Sequence, residues 1–232
     1  MKHIELGGDW SCIDEALDAR GCAYVPGVLT SEACKAVAGL YERETLFRSR
    51  IVMARHGFGS GEYRYFADPL PDWLRAMRAS AYARLVPVAS RWRSELGGEA
   101  LPADHAPFLE RCRAAGQVRP TPLLLRYGAG DWNALHQDIY GEVVFPLQVA
   151  ILLSRPGEDF SGGEFVLTEQ RPRMQSRAEV VALQQGDAVA FATRERPVRG
   201  ARGVYRVALR HGVSRIRSGT RMTLGVILHD SE

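Results

Sequence analysis

Apolar positions change their period along the chain near Pro120. Before it, they recur at helical spacing. Asp14 to Arg20 reads as a short helix stopped by Gly21, and Thr30 or Ser31 caps a second helix that runs through about Glu44, with Ala33, Val37 and Leu40 on one face. Pro71-Asp72 opens a long helix to about Leu96, stopped by Gly97-Gly98, and Asp104 to Ala115 is another, stopped by Gly116. Cys22 to Val25 is the one strand-like run among them. After Pro120 the runs are short and strand-like: Thr121–Tyr127, Phe145–Leu153, Glu164–Thr168, Glu179–Leu183, a turn at Gln185-Gly186 feeding a strand to Phe191, Val204–His211 and Arg221–Leu228. Strands of this length joined by Gly-rich turns predict a β-sandwich or barrel, with the preceding helices packed outside it. The expected fold is therefore α+β, a jelly roll with an N-terminal helical layer. The simplest division is one domain over residues 1–232, with 1–118 as mainly helical support and 119–232 as the jelly-roll core.

One stretch fits neither pattern. Residues 47–66 hold three glycines within five residues, several arginines and clustered aromatics. Two readings stand: a flexible lid that stacks on a flat substrate, or an irregular connection whose aromatics cover the core.

Composition narrows the setting. A chain of 232 residues that is 46% hydrophobic can bury a substantial core. A net charge of +3 permits a nucleic-acid partner without requiring one. Cys12, Cys22, Cys34 and Cys112 form no C-x-x-C pair, which fits a reduced, cytoplasmic setting better than a disulfide framework. The first residues lack a signal-peptide core, and no apolar run approaches a membrane span, so neither a membrane nor an obligate protein partner is expected.

Chemistry concentrates in Leu123 to Asp138. His136 and Asp138 are two residues apart, and in an extended segment such side chains point to one face. One metal ion can then be held by both, with His211 as the third ligand. Two histidines and a carboxylate with open positions make the facial triad of non-haem Fe(II) oxygenases. Arg221 follows ten positions later, and its guanidinium is shaped to clamp a carboxylate bidentately. Strand alternation puts Arg221 and Thr223 on one face and Met222, Leu224, Val226 and Leu228 on the other. A pocket arginine needs a protein carboxylate or an anionic ligand.

The segment from Arg126 to Asp138 resembles the metal-binding segment of AlkB-type 2-oxoglutarate/Fe(II) dioxygenases. The stretch from His211 through Arg221-Met-Thr-Leu-Gly225 resembles the second-histidine and oxoglutarate-arginine segment of that superfamily. Arg119-Pro-Thr-Pro-Leu-Leu-Leu125, Gly162-Gly-Glu-Phe-Val-Leu167 and Arg171-Pro-Arg-Met-Gln-Ser-Arg177 resemble, more closely, a bacterial oxygenase family regarded as acting on damaged nucleic acid. The resemblance covers nearly the whole chain from about Gly21. It implies a double-stranded β-helix of the cupin-like kind, with Fe(II), 2-oxoglutarate and O2 as cofactor and co-substrates. It implies His136, Asp138 and His211 as iron ligands and Arg221 as the anchor of the distal carboxylate. Tyr127, Asn133 and Thr223 are implied as co-substrate neighbours. AlkB-type enzymes carry an Asn where this chain has Leu125 and a second Arg where it has Ile227, and these departures weaken the assignment to alkylated bases. The leading expectation is oxidative demethylation of alkylated nucleic acid. Arg64, Tyr65 and Phe66, with Phe58 and Tyr63, are expected to hold substrate on one side, and Arg171, Arg173 and Arg177 on the other. The alternatives are a prolyl-type protein hydroxylase, a small-metabolite hydroxylase, or a cupin-like binding module without turnover.

Overall fold

The structure, a computed structural model, describes residues 4–232. In chain order the first half holds α1 (Ile13–Arg20), β1 (Cys22–Val25), α2 (Ser31–Ala38), β2 (Phe47–Val52), β3 (Gly59–Ser60), β4 (Glu62–Phe66), α3 (Asp72–Glu95) and α4 (His105–Ala114). The second half holds β5 (Leu123–Tyr127), β6 (Trp132–His136), β7 (Leu147–Leu152), β8 (Phe160–Gly162), β9 (Phe165–Gln170), β10 (Arg177–Val181), β11 (Ala188–Ala192), β12 (Glu195–Gly200), β13 (Gly203–Val213), β14 (Ile216–Gly219) and β15 (Arg221–Val226).

The strands form two facing antiparallel sheets. The larger is ordered β1-β11-β7-β15-β5-β4-β2, the smaller β10-β9-β13-β6-β3 with β12 also paired to β13, and β8 and β14 make a separate ribbon. From β5 onward the chain alternates between the sheets: β5, β7, β11 and β15 lie in the larger, and β6, β9, β10 and β13 in the smaller. This is the double-stranded β-helix arrangement. Apolar burial accounts for it. Leu74, Met77, Tyr82 and Leu85 of α3 share the main core with Leu124, Ile151, Leu224 and Val226 of the larger sheet. The helices therefore cover one face of that sheet, and its other face is free to build a cavity against the smaller sheet. All five residues of β11 are buried, as expected of a strand between two others beneath a helical layer.

Helix ends follow their caps. Gly21 adopts the left-handed conformation at φ 76 and closes α1, and the Thr30 hydroxyl accepts from the Ala33 amide at the start of α2. The second helix is shorter than the sequence pattern suggested. It ends at Ala38 and tightens into a 3-10 turn over Gly39–Glu42, which buries Leu40 and Tyr41.

Residues 47–66 are neither a lid nor an irregular connection over most of their length. β2 pairs with β4 and β4 with β5, so this hairpin widens the larger sheet, and only residues 53–61 connect outside the two long strands. Along β4 the residues alternate as in a strand: Tyr63 lines the cavity, and Arg64 and Phe66 are buried on the opposite face. The first half thus supplies sheet as well as helix. β12 also escaped the sequence pattern because its buried positions are Arg196 and Pro197 rather than aliphatic residues. Arg196 is 2% exposed, ion-pairs with buried Glu169 and donates to the Asp18 and Ala19 carbonyls at the end of α1.

Candidate metal and co-substrate site

His136 ends β6 opposite His211 on β13, but the next pair of partners is Asn133 with Val213. Three steps on β6 therefore match two on β13, a β-bulge. The bulge turns both Asn133 and His136 into the cavity, which simple alternation would forbid. Asp138 lies two residues beyond the strand. Its Oδ1 is 3.5 Å from His136 Nε2 and its Oδ2 3.3 Å from His211 Nε2. One ligand atom from each of the three residues lies within 4.8 Å of the others, an arrangement that could hold a metal ion.

The surroundings fit a divalent cation. His136 Nδ1 donates to the Ala134 carbonyl at 2.7 Å, which orients the ring with Nε2 toward the Asp138 carboxylate, where a metal would displace its proton. The Tyr140 hydroxyl donates to Asp138 Oδ1 at 2.6 Å, and Gln148 Nε2 donates to Oδ2 at 2.9 Å. Burial alone would raise the Asp138 pKa, but the His136 and His211 hydrogen bonds outweigh it and hold the carboxyl well below its ordinary range. The triad would thus present a fixed, ionised carboxylate to a bound ion.

Arg221 starts β15, opposite Tyr127 of β5. It is 2% exposed, and burial depresses its pKa to about 10. Nη1 donates to the Thr223 hydroxyl at 2.5 Å, and the guanidinium lies 5.9 Å from both the Tyr127 and Phe160 ring centroids. Nε has no partner, and among the described residues no carboxylate lies within ion-pair distance of this arginine. A buried guanidinium in that state is strongly disfavoured unless an anion completes it. A dicarboxylate reaching from the triad to Arg221 would do so. Space for the arginine depends on Gly163, at φ +66, where a Cβ would sit 2.9 Å from Arg221 Cδ. Asn133 Nδ2 donates to the Tyr127 hydroxyl at 3.2 Å.

His136, Asp138, His211, Arg221, Tyr127, Asn133 and Thr223 all line one cavity between the sheets. Phe58 and Tyr63 also line it, Phe58 at 47% exposure. The remaining expected substrate contacts fall elsewhere. Arg64 is buried on the opposite face of β4, donates to the Tyr41 carbonyl at 2.9 Å and lies over the Tyr41 ring. Phe66 is fully buried against Phe47 and Trp73. Tyr65 has the cavity-facing parity but is buried with Leu123 and Ile227 beneath the Arg48 guanidinium. None of the three offers a free ring face or an exposed charge to a substrate. Arg171 and Arg173 lie in the β9–β10 turn and do not line the cavity; Arg171 ion-pairs with Glu169 at 2.7 Å, while Arg173 is exposed. Gln148 and Tyr140 were missed. Gln148 carried a signal: it is a polar residue inside an apolar strand, and at 2% exposure it needs a buried partner.

Comparison with known proteins bears on this geometry. Residues 61–231 match the model of a family, Oxygenase-NA, described as an oxygenase catalysing oxidative methylation of damaged DNA. An uncharacterized protein of Mycobacterium tuberculosis strain H37Rv is 51% identical over 167 residues, which make up 72% of each chain. Among solved structures, a 2OG-Fe(II) oxygenase-family oxidoreductase from Burkholderia pseudomallei superimposes with a TM-score of 0.57 at 17% identity, covering 94% of this chain and 89% of that one. A prolyl-4-hydroxylase from Pseudomonas putida gives 0.55 at 13% identity over 94% and 96%. At those identities the likeness to the two structures concerns the fold.

Proposed function

Because the chain belongs to the Oxygenase-NA family, we propose that it is an Fe(II)- and 2-oxoglutarate-dependent oxygenase that oxidises alkyl groups on damaged nucleic acid, with His136, Asp138 and His211 holding the iron and Arg221 anchoring 2-oxoglutarate. The observation that carries the site assignment is the buried, carboxylate-free Arg221 in the same cavity as the His–Asp–His cluster. The family description supports the substrate.

Bound iron and 2-oxoglutarate supply the oxidising power by coupling O2 reduction to decarboxylation of the co-substrate, which leaves succinate and CO2 and transfers the second oxygen atom to a substrate C–H bond. The chain's own residues do the rest. Tyr140 and Gln148 hold the Asp138 carboxylate in one orientation, and the Ala134 carbonyl does the same for the His136 ring. Arg221 and Thr223 take the distal carboxylate, with Tyr127 and Asn133 flanking it. Leu123, Leu125, Val149 and Ile227 make the remaining wall apolar, which keeps bulk water from the reacting centre. Asp138 and His211 are each 8% exposed, so a base stacked in a duplex cannot present its alkyl group to them without leaving the stack. On an N-methyl group the hydroxylated product loses formaldehyde and leaves the repaired base.

The test is turnover. Iron-loaded protein is given 2-oxoglutarate, O2 and single-stranded DNA carrying one N-methylated base, and succinate and formaldehyde are measured against unmodified DNA. Both should exceed the uncoupled background with methylated DNA, and His211→Ala should abolish both. Succinate that rises with a peptide or metabolite, and not with any methylated oligonucleotide, would reassign the substrate while leaving the metal site standing.

A further inference from the structure

The cavity's charge inventory bears on which alkylated bases it accepts, an inference that rests on the nucleic-acid reading above. Among the described residues Asp138 is the only carboxylate lining it. Both of its oxygens already accept hydrogen bonds, from Tyr140 and Gln148, and its free lone pairs face the two histidines. The half-buried Tyr63 and buried Tyr127 hydroxyls add no negative charge, because burial pushes their pKa values well above the ordinary phenol range. With a divalent ion and a 2-oxoglutarate dianion in place, the formal charges of ion, Asp138, Arg221 and dianion cancel. The filled site then has no excess negative charge to draw in a substrate cation.

We propose that this cavity selects neutral alkylated bases and discriminates against bases that carry a positive charge. A cationic base must shed water to bring its methyl group beside Asp138 and His211. No free carboxylate here replaces that hydration, and the desolvation penalty of an unpaired charge is large. The Phe58 and Tyr63 rings offer a cation–π attraction that offsets only part of it. A neutral base has little hydration to lose, and its methyl group gains by burial against Leu125 and Ile227. The apolar side chains at these two positions set the preference.

Two bases test this with shape held nearly constant. 3-Methylthymine and 3-methylcytosine share the ring and the methyl position, but at pH 7 only the second is a cation. Protein loaded with Mn(II) and 2-oxoglutarate is titrated with short single-stranded DNA containing one of them, and fluorescence anisotropy is compared with the unmodified parent oligomers. The 3-methylthymine oligomer should bind at least about tenfold more tightly than its parent, and the 3-methylcytosine oligomer no more tightly than its own. At about pH 9.5, where 3-methylcytosine has largely lost its proton, the affinity of its oligomer relative to the 3-methylthymine oligomer should rise. Leu125→Asp, which places a carboxylate in the wall, should reverse the order at pH 7. A wild-type preference for 3-methylcytosine at pH 7, or a relative affinity for it that does not move with pH, overturns the proposal. Failure of both methylated oligomers to differ from their parents at either pH overturns the nucleic-acid reading itself, and this inference with it.

Discussion

Two buried polar side chains in one cavity do separable work, and substitutions at them should separate the same way. Among the described residues Arg221 meets no carboxylate, so under the proposed function its charge is completed by the co-substrate. Arg221→Met should weaken 2-oxoglutarate binding by roughly 2–4 kcal/mol, the loss of a bidentate charge-assisted contact. The same change should leave the ligand-free protein as stable as before or more so, because it removes an unpaired buried charge. Gln148 donates to Asp138 and, among the described residues, has no other side-chain partner. Gln148→Leu keeps the volume and removes the donor, so it should lower metal affinity by about tenfold or more, as loss of a partner that orients a metal ligand typically does. Co(II) titration followed by its visible absorption, and calorimetry with 2-oxoglutarate, read the two effects independently. If Arg221→Met leaves 2-oxoglutarate binding intact, or Gln148→Leu leaves the Co(II) titration unchanged, the corresponding role is wrong.

At the scale of elements, alternation within β15 was legible from sequence because it is regular: Arg221 and Thr223 face the cavity, Leu224 and Val226 the core. β7 and β11 were legible as short continuous apolar runs, being buried on both faces, whereas the short β8 and β14 were not read as strands. Where a strand departs from period two, the pattern fails. The β6 bulge that brings Asn133 beside His136 leaves no mark in the order of residue types. The β2–β4 hairpin was hidden because its core-facing set includes Arg64, satisfied by a backbone carbonyl and the Tyr41 ring, which no periodicity scan reads as buried. β12 was hidden likewise, by the Arg196–Glu169 pair. The turn between β8 and β9 ties an element to the site. A Cβ on Gly163 would lie 2.2 Å from Ile216 Cδ1 as well as against Arg221, at a φ that L residues avoid. Gly163→Ala should therefore cost about 1–2 kcal/mol from backbone conformation alone. It should also weaken 2-oxoglutarate binding by displacing Arg221. Urea unfolding and calorimetry on this variant should move together; unfolding that shifts with unchanged co-substrate affinity would mean the turn does not position the arginine.

Across the whole molecule, a buried polar network joins the helical layer to the end of β15, behind the metal site. Arg78 of α3 ion-pairs with Asp230 at 2.7 Å and donates to the Ile227 carbonyl at 2.8 Å. His105 of α4 donates from Nε2 to the Leu228 carbonyl at 2.8 Å. His229 is fully buried, its ring 6.0 Å from that of Tyr140, which in turn holds Asp138. Burial, reinforced by the Arg78 charge, lowers both histidines to about pKa 4. The direction of the pH effect follows. An unfolded histidine takes up its proton near pH 6.5, whereas these two resist until about pH 4. Between those values the unfolded state binds more protons, so stability falls as pH drops through that window and is fully present above it. Each histidine accounts for on the order of 3 kcal/mol at complete titration. Metal-free protein unfolded in urea at a series of pH values from 7.5 to 4.5 should lose stability progressively below about pH 6.5, before carboxylate protonation dominates. His105→Gln, which retains a side-chain N–H but cannot titrate, should flatten the slope by about half. A wild-type profile that is level from pH 7 to pH 5 would mean that the network admits the protonated rings, and that the helical layer is not locked to the site by neutral histidines.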